Sequence, residues 1–298
     1  MYEFLRKCRA EGLSESTIRW YKHNLEQLAR WLPESINLRQ VEQWHILDYM
    51  AYLRDKKYST SSIKGAITTF KLYYSYLMES NLIQYNPAEK IKKPKIANKL
   101  IYSFDKDEIN QILGYFDRQS FIGFRNYAIA ATLFATGIRK SELIGMSLAD
   151  FNVEFDLIRI YGKGNKERVV PIGQSLRRVL KKYQLMRSRY INDKQANNIH
   201  SFWLSKTCKP LTISGVDNLF KELKESKNAW STRVSAHTLR HTFAVRYIQN
   251  GGDIFTLQKI LGHSDISVTK IYTEMNVQDL KRQADRYNPL DNTTWQHI

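Results

Sequence analysis

Four short stretches of this chain combine the side chains that phosphoryl transfer requires: TGIRKSEL (136–143), YGKGNKER (161–168), HTLRHTFA (237–244) and LGHSDISVTKIY (261–272). They supply Arg139, Lys163, His237, Arg240 and His263, a cationic and proton-handling set, together with Tyr272, an oxygen nucleophile. Two guanidiniums can grip the non-bridging oxygens of one phosphodiester through paired hydrogen bonds, which an ammonium does less well. They would also neutralise the charge that builds up in a pentavalent transition state, a task other enzymes assign to metal ions. A phenol with an ordinary pKa of about 10 is protonated at neutral pH, so its attack needs a base and a positive field. The departing alkoxide needs a proton, and a lysine ammonium can donate one. The set suits metal-free phosphoryl transfer through a covalent phosphotyrosine.

Each stretch alone has a plainer reading. LGHSDISVTKIYTEM reads as an amphipathic helix, and an isolated tyrosine in one is usually a core aromatic. His263 could simply cap a helix that starts near Ser264, and Lys166 shares the turn that holds Lys163. On a helix, His237, Arg240, His241 and Ala244 share one face, while Leu239, Phe243 and Tyr247 form a separate apolar band. A histidine pair four residues apart can hold zinc, but position 238 is threonine where HExxH has its glutamate, and Arg240 would set a fixed cation beside the metal. No metal site is expected. GKGNK lacks the spacing of a phosphate-binding P-loop and sits in a hairpin pattern, so no nucleotide cofactor is expected either.

Composition narrows the partner. The 298 residues carry 46 Lys plus Arg against 29 Asp plus Glu, a formal net charge of +17. The excess is spread along the chain, with 16 basic and 10 acidic residues in 1–95 and 30 and 19 in the remainder. Nucleic acid is the first candidate partner, an anionic membrane surface the second, and mere solubility the bland alternative. No apolar run approaches the ~20 residues that span a bilayer. The N-terminus has no secretory apolar region, so a cytoplasmic protein is expected. The two cysteines, Cys8 and Cys208, form no CxxC pattern and no disulfide scaffold.

The elements that must position these residues read as follows. Ser14 caps a helix with apolar Ile18, Tyr21, Leu25, Leu28 and Leu32, stopped by Pro33. A second helix runs over WHILDYMAYLRDKK. A third, capped by Ser59, turns Ile63, Ala66, Ile67, Phe70, Tyr73 and Leu77 inward and Ser62, Lys64, Thr68 and Lys71 outward. Residues 91–104 read as a basic linker between a helical domain at 1–90 and a second domain at 105–298; five lysines fall between Lys90 and Lys99. Beyond it come helices near DKDEINQILGYF and through FRNYAIAATLFATG, the latter ended by Gly137. A hairpin pairs Leu157–Tyr161 with Glu167–Val170. A long basic helix covers SLRRVLKKYQLMRSRY, FWLS reads as a short strand, and the rest is mainly helical. The fold class is mainly α with a small antiparallel β-sheet in the second domain.

The order Arg in TGIRKSEL, Lys in GKGNKER, HTLRH, LGH and a tyrosine nine residues later resembles the tyrosine recombinase (phage integrase) family, most of all its Xer-type, transposon and phage members. GLSESTIRWYKHNL and STSSIKGAITTFKLYYSYL, followed by NP, resemble that family's N-terminal helical core-binding (SAM-like) domain, so the likeness spans nearly the whole chain. It implies that Arg139 and Arg240 bind the scissile phosphate and that Lys163 protonates the departing 5′ oxygen. It further implies that His237 handles the nucleophile's proton, that His263 hydrogen-bonds the phosphate or braces the transition state, and that Tyr272 attacks to form a 3′-phosphotyrosyl link. Glu142 matches an acidic position that orients active-site groups.

The implied function is site-specific recombination of double-stranded DNA without metal or ATP, serving integration, excision, resolution or transposition. The implied assembly is a homotetramer on paired sites, with or without a second recombinase. The tail stripe Val277, Leu280, Ala284 and Tyr287 then docks on a neighbouring protomer or, in the bland reading, on its own domain. No extra arm-binding domain is visible ahead of the first helices, which favours simple sites. Two rivals stand beside this reading: a type IB topoisomerase-like nicking-closing enzyme, and a catalytically idle DNA-binding protein.

Overall fold

The computed structural model describes residues 1–95, 102–152, 154–162, 167–196, 199–226 and 233–262. The chain divides into two compact units, Met1–Lys99 and Leu100–Ile298. The first is built of α1 (Tyr2–Ala10), α2 (Glu15–Trp31), α3 (Gln43–Asp55) and α4 (Thr60–Glu79). Ser14 and Ser59 cap α2 and α4 by accepting hydrogen bonds from the backbone N–H of Thr17 and Ser62, which satisfies donors the first helical turn leaves open. Every predicted inward residue of α4 is buried, as are Ile18, Leu25, Leu28 and Leu32 of the α2 stripe. Phe4 of α1 completes the core against the rings of Tyr21, Tyr73 and Tyr76. The sequence pattern had not separated α1, because its nine residues offer only Phe4, Leu5 and Cys8 as buried positions. Past α4, Asn86 donates to the Lys71 carbonyl and Ser75 Oγ, and Ala88 and Ile91 are buried in the same core. On the outward face of α4, Lys71 is already engaged by the Glu89 carbonyl, whereas Ser62 and Lys64 are exposed.

The second unit continues with α5 (Lys106–Gly114), α6 (Phe121–Thr136), α7 (Lys140–Ile144) and a 3-10 turn at Leu148–Asp150. There follow β1 (Leu157–Tyr161), β2 (Glu167–Pro171), α8 (Gln174–Asp193), α9 (Ile213–Glu225), α10 (Ala236–Gln249) and α11 (Ile254–Leu261). Helix α6 is apolar on nearly every side, and α5, α8 and α10 pack around it. The hairpin is antiparallel, with Ile158 opposite Val170 and Ile160 opposite Arg168. Since alternate residues of a strand face opposite ways, Ile158, Ile160, Arg168 and Val170 share the inward face.

The expected FWLS strand does not form a ladder. Among the described residues only isolated bridges occur there, Ser147 with Ser201 and Leu204 with Pro210. The reason is competition for carbonyls. Arg187 takes those of Ile199, Ser201 and Phe202, and buried Arg125 takes that of Leu204. Phe202 and Trp203 are both fully buried, as neighbours are where a chain runs through a core and not along a one-sided sheet.

Candidate active site

The site begins where α6 stops. Gly137 ends that helix in the left-handed conformation, φ 61°, which glycine adopts without steric penalty. A Cβ there would also lie 2.3 Å from Phe243 Cδ1 and 2.8 Å from Leu261 Cδ2, so the turn has room for no side chain. The tight turn delivers Arg139 as the N-cap of α7. Glu142, three residues on, accepts from the Arg139 backbone N–H at 2.8 Å and from its guanidinium at 2.9 Å.

From the other side comes α10, whose start is fixed by Ser235 accepting from the Thr238 backbone N–H. Arg240 is 4% exposed. Its guanidinium donates to the Gly137 carbonyl and, at 2.9 Å, to the Leu261 carbonyl at the end of α11. One arginine thereby ties together the ends of α6 and α11. His237 and His241 stand one turn apart on α10, their rings edge to face at 4.1 Å.

Arg139, His237, Arg240 and His241 line one open cleft of about 1290 Å3, and Gly262 forms part of its wall. Lys140, Lys221, Lys224 and Arg233 add positive charge, against which Asp217 is the one acidic residue lining it among the described residues. Asp217 is paired with Lys140. A cleft so large and so positively lined concentrates a polyanion better than a small neutral metabolite.

Partial desolvation in the cleft, then the Arg240 and Arg139 charges, lower the pKa of His237 below the ordinary 6.5. The imidazole is therefore neutral at physiological pH and able to accept a proton. Burial alone would raise the pKa of Glu142, but the hydrogen bonds from Arg168 and from the Arg139 backbone outweigh it and hold the carboxylate ionised. If His237 is the base, the rate of covalent attachment at limiting DNA is expected to keep its acid limb below pH 6.5, since depressing the pKa extends the neutral form downward. A pH profile with the limb above that value would remove His237 from the role.

Of the seven residues singled out in the sequence, Arg139, Glu142, His237 and Arg240 are brought together here. Lys163, His263 and Tyr272 lie outside the described residues, as does the tail stripe from Val277. One participant was missed. Arg168 makes a two-pronged contact with Glu142, NH1 to Oε1 at 2.9 Å and NH2 to Oε2 at 2.7 Å. Its signal was present in the strand alternation, which sets a lone charge on the face shared by Ile158, Ile160 and Val170 and so demands a buried partner.

A model of the phage integrase family matches residues 103–279, and one of the phage integrase N-terminal SAM-like domain matches residues 1–84. Over 293 residues the chain is 30% identical to the tyrosine recombinase XerD of Halalkalibacterium halodurans, covering 97% of each protein. It is 31% identical over 300 residues to the XerD of Staphylococcus haemolyticus, covering 96% of this chain and 97% of that one. The fold is similar to that of the Tn1549 transposon integrase in complex with circular intermediate DNA, with a TM-score of 0.72 at 18% identity, covering 94% of this chain and 97% of the other.

Proposed function

This chain belongs to the phage integrase family, as a tyrosine recombinase that breaks and rejoins DNA strands, and we propose that it does so at the α6–α10 cleft through a 3′-phosphotyrosyl intermediate. The observation that carries this reading is the meeting of Arg139, at the start of α7, and Arg240, on α10, in one cleft with His237, whose pKa their charges help to lower. The two guanidiniums hold the scissile phosphate. The Tyr272 oxygen attacks phosphorus as its proton passes to His237; the P–O5′ bond breaks, and Lys163 protonates the 5′ oxygen. His263 donates to a phosphate oxygen. The phosphotyrosyl ester retains about the energy of the bond it replaced, so a 5′ hydroxyl from a second duplex reseals the strand without ATP. The recombinase relatives favour that exchange over resealing of the original strand or idle binding.

In this proposal residues 1–90 form the core-binding domain, 91–104 a basic linker and 105–298 the catalytic domain, the first two giving phosphate contacts and strong salt dependence. Four protomers act on paired sites in the cytoplasm, with the tail from Val277 docking in trans. No described helix is long and apolar enough to cross a membrane. The decisive test uses nicked duplexes drawn from DNA flanking the gene, incubated with the protein in excess chelator. A covalent adduct whose tryptic peptide carries a nucleotide on Tyr272 is expected. Tight binding of those duplexes with no adduct would overturn the proposal.

A further inference from the structure

Strand β2 carries a cation whose surroundings are unlike those of a surface charge. Arg168 has 12% of its side chain exposed and Glu142 3%. All three guanidinium nitrogens of Arg168 have an acceptor: the two terminal ones reach the carboxylate of Glu142, and Nε donates to the Ile260 carbonyl at 2.8 Å. A Cβ on Gly262 would lie 3.1 Å from Arg168 Cδ, Nε and NH1, so the side chain lies directly against the cleft wall. The two oxygens of Glu142 accept four hydrogen bonds, two from Arg139 and two from Arg168, which fills the capacity of an ionised carboxylate.

We propose that Arg168 is a positioning residue for strand cleavage, which neutralises Glu142 so that the charge of Arg139 stays available to phosphate, and which anchors β2 and the end of α11 to that pair. The inference rests on the phosphotyrosine reading of the cleft. Its physical core is charge balance. Two guanidiniums share one buried carboxylate, leaving one net positive charge, and Arg139 is the more exposed partner at 44% against 12%. Without Arg168, Arg139 becomes the sole counter-ion of a buried anion and is drawn away from the cleft.

The anchoring follows from chain order. Arg168 lies five residues after Lys163 in sequence, on β2, and Ile260 lies three residues before His263. A single guanidinium therefore joins Glu142, the strand that follows Lys163 and the helix that precedes His263. Cations also favour the carbonyl end of a helix, and α11 has two there, Arg168 on Ile260 and Arg240 on Leu261. A lysine could keep the charge of Arg168 but not its three-way geometry.

The test compares Arg168→Met, Arg168→Lys, Glu142→Gln and the double variant Arg168→Met/Glu142→Gln in the full chain. The readouts are the single-turnover rate of adduct formation at saturating protein on a nicked duplex, affinity for that duplex, and thermal unfolding. Arg168→Met is expected to slow adduct formation by about 100-fold, the size of effect that misplacing a reacting group produces, with affinity near that of the unsubstituted chain. The double variant is expected to regain about tenfold over Arg168→Met, because removing the buried anion releases Arg139. Arg168→Lys should fold and still cleave slowly, which keeps the test decisive if the methionine variant does not fold. Cleavage by Arg168→Lys at the unsubstituted rate, a loss confined to DNA affinity, or a double variant no faster than Arg168→Met would overturn the proposal. If the unsubstituted protein yields no adduct, the phosphotyrosine reading falls first and this inference with it.

Discussion

Replacing Tyr272 by Phe is expected to abolish covalent attachment to DNA while leaving site binding intact. The substitution removes one oxygen and keeps the ring, so whatever the ring packs against is retained and only the proposed nucleophilic oxygen is lost. The chain has 18 tyrosines, and the described ones do not offer a substitute. None of them lines the cleft. Burial pushes the Tyr49 hydroxyl up to about 12, and those of Tyr73, Tyr74 and Tyr183 upward as well, the opposite of activation. The hydroxyls of Tyr183 and Tyr190 are committed to the carbonyls of Phe202 and Lys206. Exposed Tyr161, at the end of β1, is the useful control. Tyr161→Phe should keep the adduct, measured as a gel-shifted band that survives denaturant. An adduct persisting in Tyr272→Phe, or lost in Tyr161→Phe alone, would reassign the nucleophile.

How far the sequence revealed this arrangement depended on the distance over which each constraint acts. Helical periodicity is local, so the inner face of α4 and the shared face of His237, Arg240 and His241 could be read directly from spacing. Gly137 ending α6 and Glu142 closing on Arg139 are also local, spanning a turn of chain. The gathering of Arg139 and Arg240 is not local; the chemistry of the set and the resemblance suggested it, while spacing could not, because the physical reason, Arg240 bonding the Gly137 carbonyl, joins residues 103 positions apart. For Arg168 the strand alternation marked an inward charge, but not the groups that meet it, which lie 26 and 92 positions away. FWLS misled because strand propensity says nothing of which groups will claim the carbonyls, and here arginine side chains do. Lys163, His263 and Tyr272 were named from spaced motifs and lie outside the described residues, so their assignment rests on motif and family alone.

Arg240→Ala is expected to harm both stability and chemistry, and the two losses can be separated. Buried Arg240 satisfies the carbonyls that end α6 and α11. Removing it leaves two acceptors without their charged donor, a loss of roughly 1–3 kcal/mol once the relieved burial of the cation is set against it. The same guanidinium lines the cleft with Arg139, so in the proposed mechanism its removal also takes charge-assisted donors from the phosphate and is expected to slow cleavage by about 10²–10³-fold. Arg240→Lys separates the terms. An ammonium can reach one carbonyl and keep the charge, which restores part of the stability, but it cannot hold two carbonyls and a phosphate edge in one plane. Thermal unfolding of Arg240→Lys should therefore approach that of the unsubstituted chain more closely than its adduct-formation rate does. If the lysine variant recovered rate and stability in equal proportion, Arg240 would be acting as a structural tie between the two helix ends, and the phosphate clamp would have to be built from other cations of the cleft.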